Sequence, residues 1–102
     1  MSLLEMVVKE FISIVEAVEQ NSPAENNRII LERDYFKALL ERYAYMTFKE
    51  KTSIYKALNF IIHDKNNYTM PYKDVARKKT VRKVIINYNT YAIVKNLIET
   101  NV

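Results

Sequence analysis

Leu4, Val7, Val8, Phe11, Val15 and Val18 recur at the helical period, which predicts a helix over residues 3–20. Leu3, Ile12 and Ile14 widen its apolar arc beyond a single stripe. A helix that apolar must be buried on more than one side, either at the centre of the core or against a second copy of the chain. NSPAENN, residues 21–27, ends it. Ser22 and Glu25 have capping-box spacing, with Pro23 at a first-turn position, so a short helical turn can follow. Residues 28–31, RIIL, can continue that turn or form a brief strand, and the strand is the favoured reading. Asp34 is expected to N-cap a second helix, with Phe36, Leu39, Leu40 and Tyr43 along its inner face. Thr47 and Glu50 form a cleaner T-x-x-E box, which opens a third helix running to about residue 62. Ile54, Ala57, Leu58 and Ile61 are its expected inner face, and Lys49, Ser53, Lys56 and Asn59 its outer one. The link between these two helices, residues 44–46, is short enough for a helix-turn-helix.

After the turn cluster at residues 63–67, HDKNN, the period changes to two. Tyr68, Met70 and Tyr72 alternate with Thr69, Pro71 and Lys73, and Pro71 places this strand at an edge or makes it irregular. Residues 81–88 read as a second strand with Val84, Ile86 and Tyr88 on one face. Asn89 or Thr90 is then placed to cap a last helix whose apolar side is Ala92, Ile93, Leu97 and Ile98. The expected order is helix, short strand, helix, helix, β-hairpin, helix: an α+β chain of one domain, residues 1–102.

Composition removes several classes of function. No apolar run approaches the roughly 20 residues that cross a bilayer. No basic leader with a small-residue cleavage site is present, so the cytoplasm is the expected location and no membrane partner is expected. The chain has no cysteine, which removes disulfides and thiolate zinc sites. It has no glycine either, which removes glycine-rich phosphate loops and dinucleotide fingerprints. No cofactor is expected, and the turns fall to Asn, Asp, Pro and Lys. One histidine among scattered carboxylates cannot assemble the metal centre of a nuclease, nor can it support a tyrosine nucleophile. Binding rather than catalysis is expected.

The net charge of +4 conceals an asymmetry. Residues 1–34 sum to −4, residues 35–72 to +3 and residues 73–102 to +5. Such polarity suits an oriented encounter with a polyanion. The densest stretch is YKDVARKKTVRK, residues 72–83, where six of twelve residues are basic and only Asp74 opposes them. Lys73, Arg77, Lys78, Lys79, Thr80, Arg82 and Lys83 are the candidate DNA contacts there. Cations in such a cluster gain by displacing counterions condensed on DNA, and Arg77 at the tip suits a narrow minor groove. A second set lies on the third helix, where Lys49, Lys51, Ser53, Lys56 and Asn59 are candidates for reading base edges. Glu50 sits among them and no arginine does, so the hairpin is the expected primary contact. Tyr45 and Tyr55 are further candidates for phosphates. Tyr43, Tyr68, Tyr72 and Tyr88 read as amphipathic core residues with their hydroxyls at the surface. His63 reads as a cation at a helix C-terminus.

The element order over residues 28–88 resembles the winged helix-turn-helix family. MTFKEKTSIYKALNFI matches that family's recognition-helix segment and VARKKTVRKVIINY its wing. The likeness lies in the order of elements, since the family has no specific short motif. Length and layout further resemble small relaxosome accessory proteins of Gram-positive conjugative plasmids. That resemblance implies sequence-specific binding of double-stranded DNA at an origin of transfer, in support of a separate relaxase. Two other readings stand beside it. One is a winged-helix transcriptional regulator that reads bases with the third helix. The other is a protein–protein adaptor with a basic docking patch and the first helix as its functional surface. The breadth of that N-terminal helix also suggests a homodimer.

Overall fold

In the computed structural model, which describes residues 2–100, α1 (Leu3–Glu19) opens on a capping box. The Ser2 hydroxyl accepts from the Glu5 N–H at 3.2 Å, and the Glu5 carboxylate returns to the Ser2 N–H at 3.5 Å. Most of the apolar arc is taken up within the chain. Val7, Phe11, Ile14, Val15 and Val18 are buried, and Val8 and Ile12 pack against the same core. Leu3 and Leu4, at the start of the helix, are exposed.

Without glycine, asparagine supplies most of the left-handed backbone. Asn26 and Asn27 have φ of 54° and 62°, the pair of values a two-residue type I′ turn requires. Glu25 and Arg28 exchange both backbone hydrogen bonds across it, at 2.9 and 3.0 Å. This tight turn stands where a helical turn was expected. It delivers the chain into β1 (Arg28–Glu32), the anticipated strand. Then α2 (Arg33–Glu41) buries Phe36, Leu39 and Leu40. Its N-cap is Glu32, which makes no side-chain capping bond, and Asp34 lies inside the first turn. Tyr43 falls beyond the helix and is exposed. The link to the next helix is residues 42–47, longer than expected.

The third helix, α3 (Phe48–Ala57), begins at Thr47, whose hydroxyl accepts from the Glu50 N–H at 3.1 Å. It stops well short of residue 62, because Asn59 adopts φ 58°. The Phe60 N–H then bonds to the Tyr55 carbonyl at 2.9 Å, and the Asn59 N–H to that of Lys56 at 3.1 Å. These are the two bonds of a Schellman motif. Its usual apolar contact is the Tyr55–Phe60 ring pair, 5.3 Å between centroids. The helix is also rotated from expectation. Lys51, Thr52 and Tyr55 face inward, while Ala57 and Leu58 are exposed. Ile61 is buried, but in the two-residue strand β2 (Ile61–Ile62).

The long strand β4 (Lys79–Asn87) organises an antiparallel sheet. Along one edge β1 pairs from Arg28↔Asn87 to Glu32↔Lys83. Along the other lie β2, with Ile61↔Ile86, and β3 (Met70–Asp74), from Met70↔Lys83 to Asp74↔Lys79. Alternation along the strands sends Val84 and Ile86, with Ile29 and Leu31, into the helix-lined core. There Phe11 stacks on Phe60 at 4.0 Å, and Tyr55 meets Phe11 edge-on at 5.8 Å.

The last helix, α4 (Tyr88–Thr100), follows β4 without a break. Its cap is neither Asn89 nor Thr90: the Asn87 side chain accepts from the Thr90 N–H at 3.2 Å. Tyr88, expected on a strand face, instead donates its hydroxyl to Glu19 at 2.7 Å. Tyr91 and Val94 face the core, whereas Ala92, Ile93, Leu97 and Ile98 are exposed, the reverse of the expected side. Among the described residues the chain is therefore α+β, with four helices and a four-stranded antiparallel sheet. No helix among them is long and apolar enough to cross a membrane.

Candidate nucleic-acid interface

β1 accompanies β4 only from Lys83 onward. Residues 79–82 therefore have a neighbouring strand on one side alone, and the β3–β4 hairpin runs on past the body of the sheet. From residue 71 to residue 80 every side chain is exposed except Asp74, which is half-buried. The loop of residues 75–78 closes on Lys78, held at φ 52°. One oxygen of Asp74, Oδ1, accepts from the Arg77 backbone N–H at 3.1 Å. The other lies 3.4 Å from Arg77 Nε, with the arginine side chain 67% exposed. Lys73, Lys78, Lys79 and Thr80 are open to solvent beside it. The free end thus shows four cations, Lys73, Arg77, Lys78 and Lys79, against the single carboxylate of Asp74.

Arg82 and Lys83 belong to a different task. Arg82 lies on the core-facing side of β4 and forms an ion pair with Asp64. It also donates to the Thr69 hydroxyl and carbonyl, both at 2.8 Å. This clasp ties residues 63–69 to the root of the hairpin. Lys83 pairs with Glu32 across the sheet, and its ammonium lies 5.8 Å from the centre of the Tyr72 ring. Both cations were expected at the interface, and both are committed to carboxylates of the chain itself.

Lys51 departs furthest from expectation. Its side chain is 1% exposed. Its three protons go to Glu10 Oε2 at 2.7 Å, to the Leu40 carbonyl at 2.6 Å and to the Tyr43 carbonyl. The Tyr55 hydroxyl donates to the other oxygen, Glu10 Oε1, at 2.7 Å, so Tyr55 is no phosphate contact. Burial, then the Glu10 charge, raises the hydroxyl pKa of both Tyr55 and Tyr45 above the ordinary tyrosine value. This buried group joins α1, the end of α2, the link and α3. The sequence carried one sign of it: Glu10 stands among Val7, Phe11 and Ile14, a carboxylate within an apolar stripe that requires a buried partner.

With Lys51 withdrawn, the outer face of α3 is sparse. Lys49 and Ser53 are exposed, Lys56 is half-buried, and Asn59 lies beyond the helix end. The Ser53 hydroxyl is turned back onto the Lys49 carbonyl at 3.1 Å, and Glu50 is exposed among them. His63 is not at a helix end but follows β2, its Nδ1 2.7 Å from the Asp64 carbonyl. No cluster of His, Cys, Asp or Glu among the described residues could hold a metal ion. The chain matches no protein-family model and no curated protein sequence.

Proposed function

We propose that this chain is a cytoplasmic, non-enzymatic protein that binds double-stranded DNA through the free end of its β3–β4 hairpin. The observation that carries the reading is the distribution of exposed charge. The hairpin end offers four cations against one acid, whereas the outer face of α3 offers Lys49 and Lys56 against Glu50. Phosphate affinity grows with the number of counterions released, so the hairpin dominates. The winged helix-turn-helix design is supported by the element order and by the position of β4 between β1 and the hairpin partner β3. In that design the hairpin is the wing and α3 the recognition helix. Sequence-specific binding at a plasmid origin of transfer, beside a relaxase, is the biological role favoured by the likeness in length and layout to relaxosome accessory proteins.

Two variants separate the hairpin from the helix. Arg77, Lys78 and Lys79 all changed to Glu should abolish binding to mixed-sequence duplex in a polarisation assay, with the melting temperature unchanged. Lys49 and Lys56 changed to Glu should weaken it much less. Equal losses would assign the interface to α3 as well, and an intact triple variant would end the hairpin reading. Selection of bound sequences from a random duplex pool tests sequence specificity. Recovery of no common motif would rule out a role at a defined origin.

A further inference from the structure

The one acid in the basic stretch is placed where it should do harm. A carboxylate among phosphate-binding cations repels the same phosphates. Asp74 nevertheless uses both its oxygens on Arg77, one on the backbone N–H at 3.1 Å and one facing Nε at 3.4 Å. The same turn carries Lys78 in the left-handed region, which a lysine enters only when its surroundings impose it. The neighbours of Asp74 are otherwise exposed, while it is half-buried.

We infer that Asp74 is a positioning residue for DNA binding: by holding the Arg77 N–H and facing its Nε, it aims the Arg77 side chain at the duplex before contact. This rests on the DNA-binding reading above. A long side chain ordered in advance does not lose its rotamer freedom on binding, which is worth about two- to tenfold in affinity for one residue. The Arg77 guanidinium, 3.4 Å away, offsets part of the carboxylate's repulsion of a phosphate.

The inference makes a prediction opposite in sign to simple electrostatics. Asp74→Ala deletes a negative charge yet should weaken duplex binding about fivefold. The log–log salt slope should stay at its wild-type value, because Arg77 still reaches its phosphate, only at a greater entropic cost. Asp74→Asn keeps the backbone acceptor without the charge, and should bind as tightly as wild type or about twofold more tightly. Asp74→Glu keeps the charge but moves the acceptor by a methylene, and should weaken binding like the alanine variant. In an Arg77→Ala background the alanine penalty should vanish, because the residue acts through Arg77. Alanine and asparagine variants that both strengthen binding would overturn the inference. So would a glutamate variant equal to wild type, or a penalty that survives without Arg77. Wild-type protein that shows no salt-dependent duplex binding would instead overturn the DNA-binding reading, and this inference with it.

Discussion

Lys51 shows how one residue can invert its expected role. On a helix diagram it is one more cation near Lys49 and Lys56, yet it is buried against Glu10 and two carbonyls. Breaking a buried pair leaves a charge without compensation, so Lys51→Ala should cost about 3–5 kcal/mol in urea unfolding. Lys49→Ala, on an exposed site, should stay within about 0.5 kcal/mol. Tyr55 shares the same carboxylate. Tyr55→Phe should cost about 1.5–3 kcal/mol at neutral pH, as for a hydrogen bond to a charged group. Burial and Glu10 raise the Tyr55 pKa in the folded state, so above about pH 10 the unfolded chain loses this proton first. The stabilisation is complete below that pH and falls at about 1.4 kcal/mol per pH unit above it. Alkaline denaturation of Tyr55→Phe should lack that share of the slope. The period of a helix reports where apolar residues lie. It could not report that α3 turns Lys51 inward, because the reason is Glu10 on another helix.

Local rules served well for elements with strong punctuation and poorly where asparagine stood in for glycine. Thr47 and Glu50 opened α3 as expected, but its end at Asn59 was hidden, since asparagine is a less emphatic stop than glycine. Asn59→Gly should leave stability within about 0.5 kcal/mol, whereas Asn59→Ala should cost about 1 kcal/mol through its φ of 58°. The hairpin offers the matching case. Lys78→Gly should raise the unfolding free energy by about 0.5–1 kcal/mol, relieving a left-handed lysine against glycine's larger unfolded-state entropy. The same change should weaken DNA binding by removing a cation. At the hairpin root, Arg82→Ala should accelerate amide hydrogen exchange in residues 63–69, which the Asp64–Arg82–Thr69 clasp holds to β4. Unchanged exchange there would show that the clasp does not restrain the loop. On α4 the aliphatic pattern points to the wrong side, because Tyr91 and Val94, not the aliphatic residues flanking them, meet the core.

At the scale of the whole molecule, charge was more legible than packing. The basic stretch was visible in the sequence as a count, and the register of β3 against β4 turns that count into a geometry. It also subtracts from it, since Arg82 and Lys83 are paired at the base while Lys73, Arg77, Lys78 and Lys79 remain at the free end. Most of the apolar arc of α1 is used within the chain, while Leu3 and Leu4 at its start stay exposed. Along the chain the charge is polar, with a net −4 over residues 1–34 and a net +5 over residues 73–102. The most direct test is the affinity for a mixed-sequence duplex measured between 50 and 300 mM salt. Four phosphate contacts predict a log–log slope of about −3.6. A slope near zero, or no binding at 50 mM, would contradict an interface built on those four side chains.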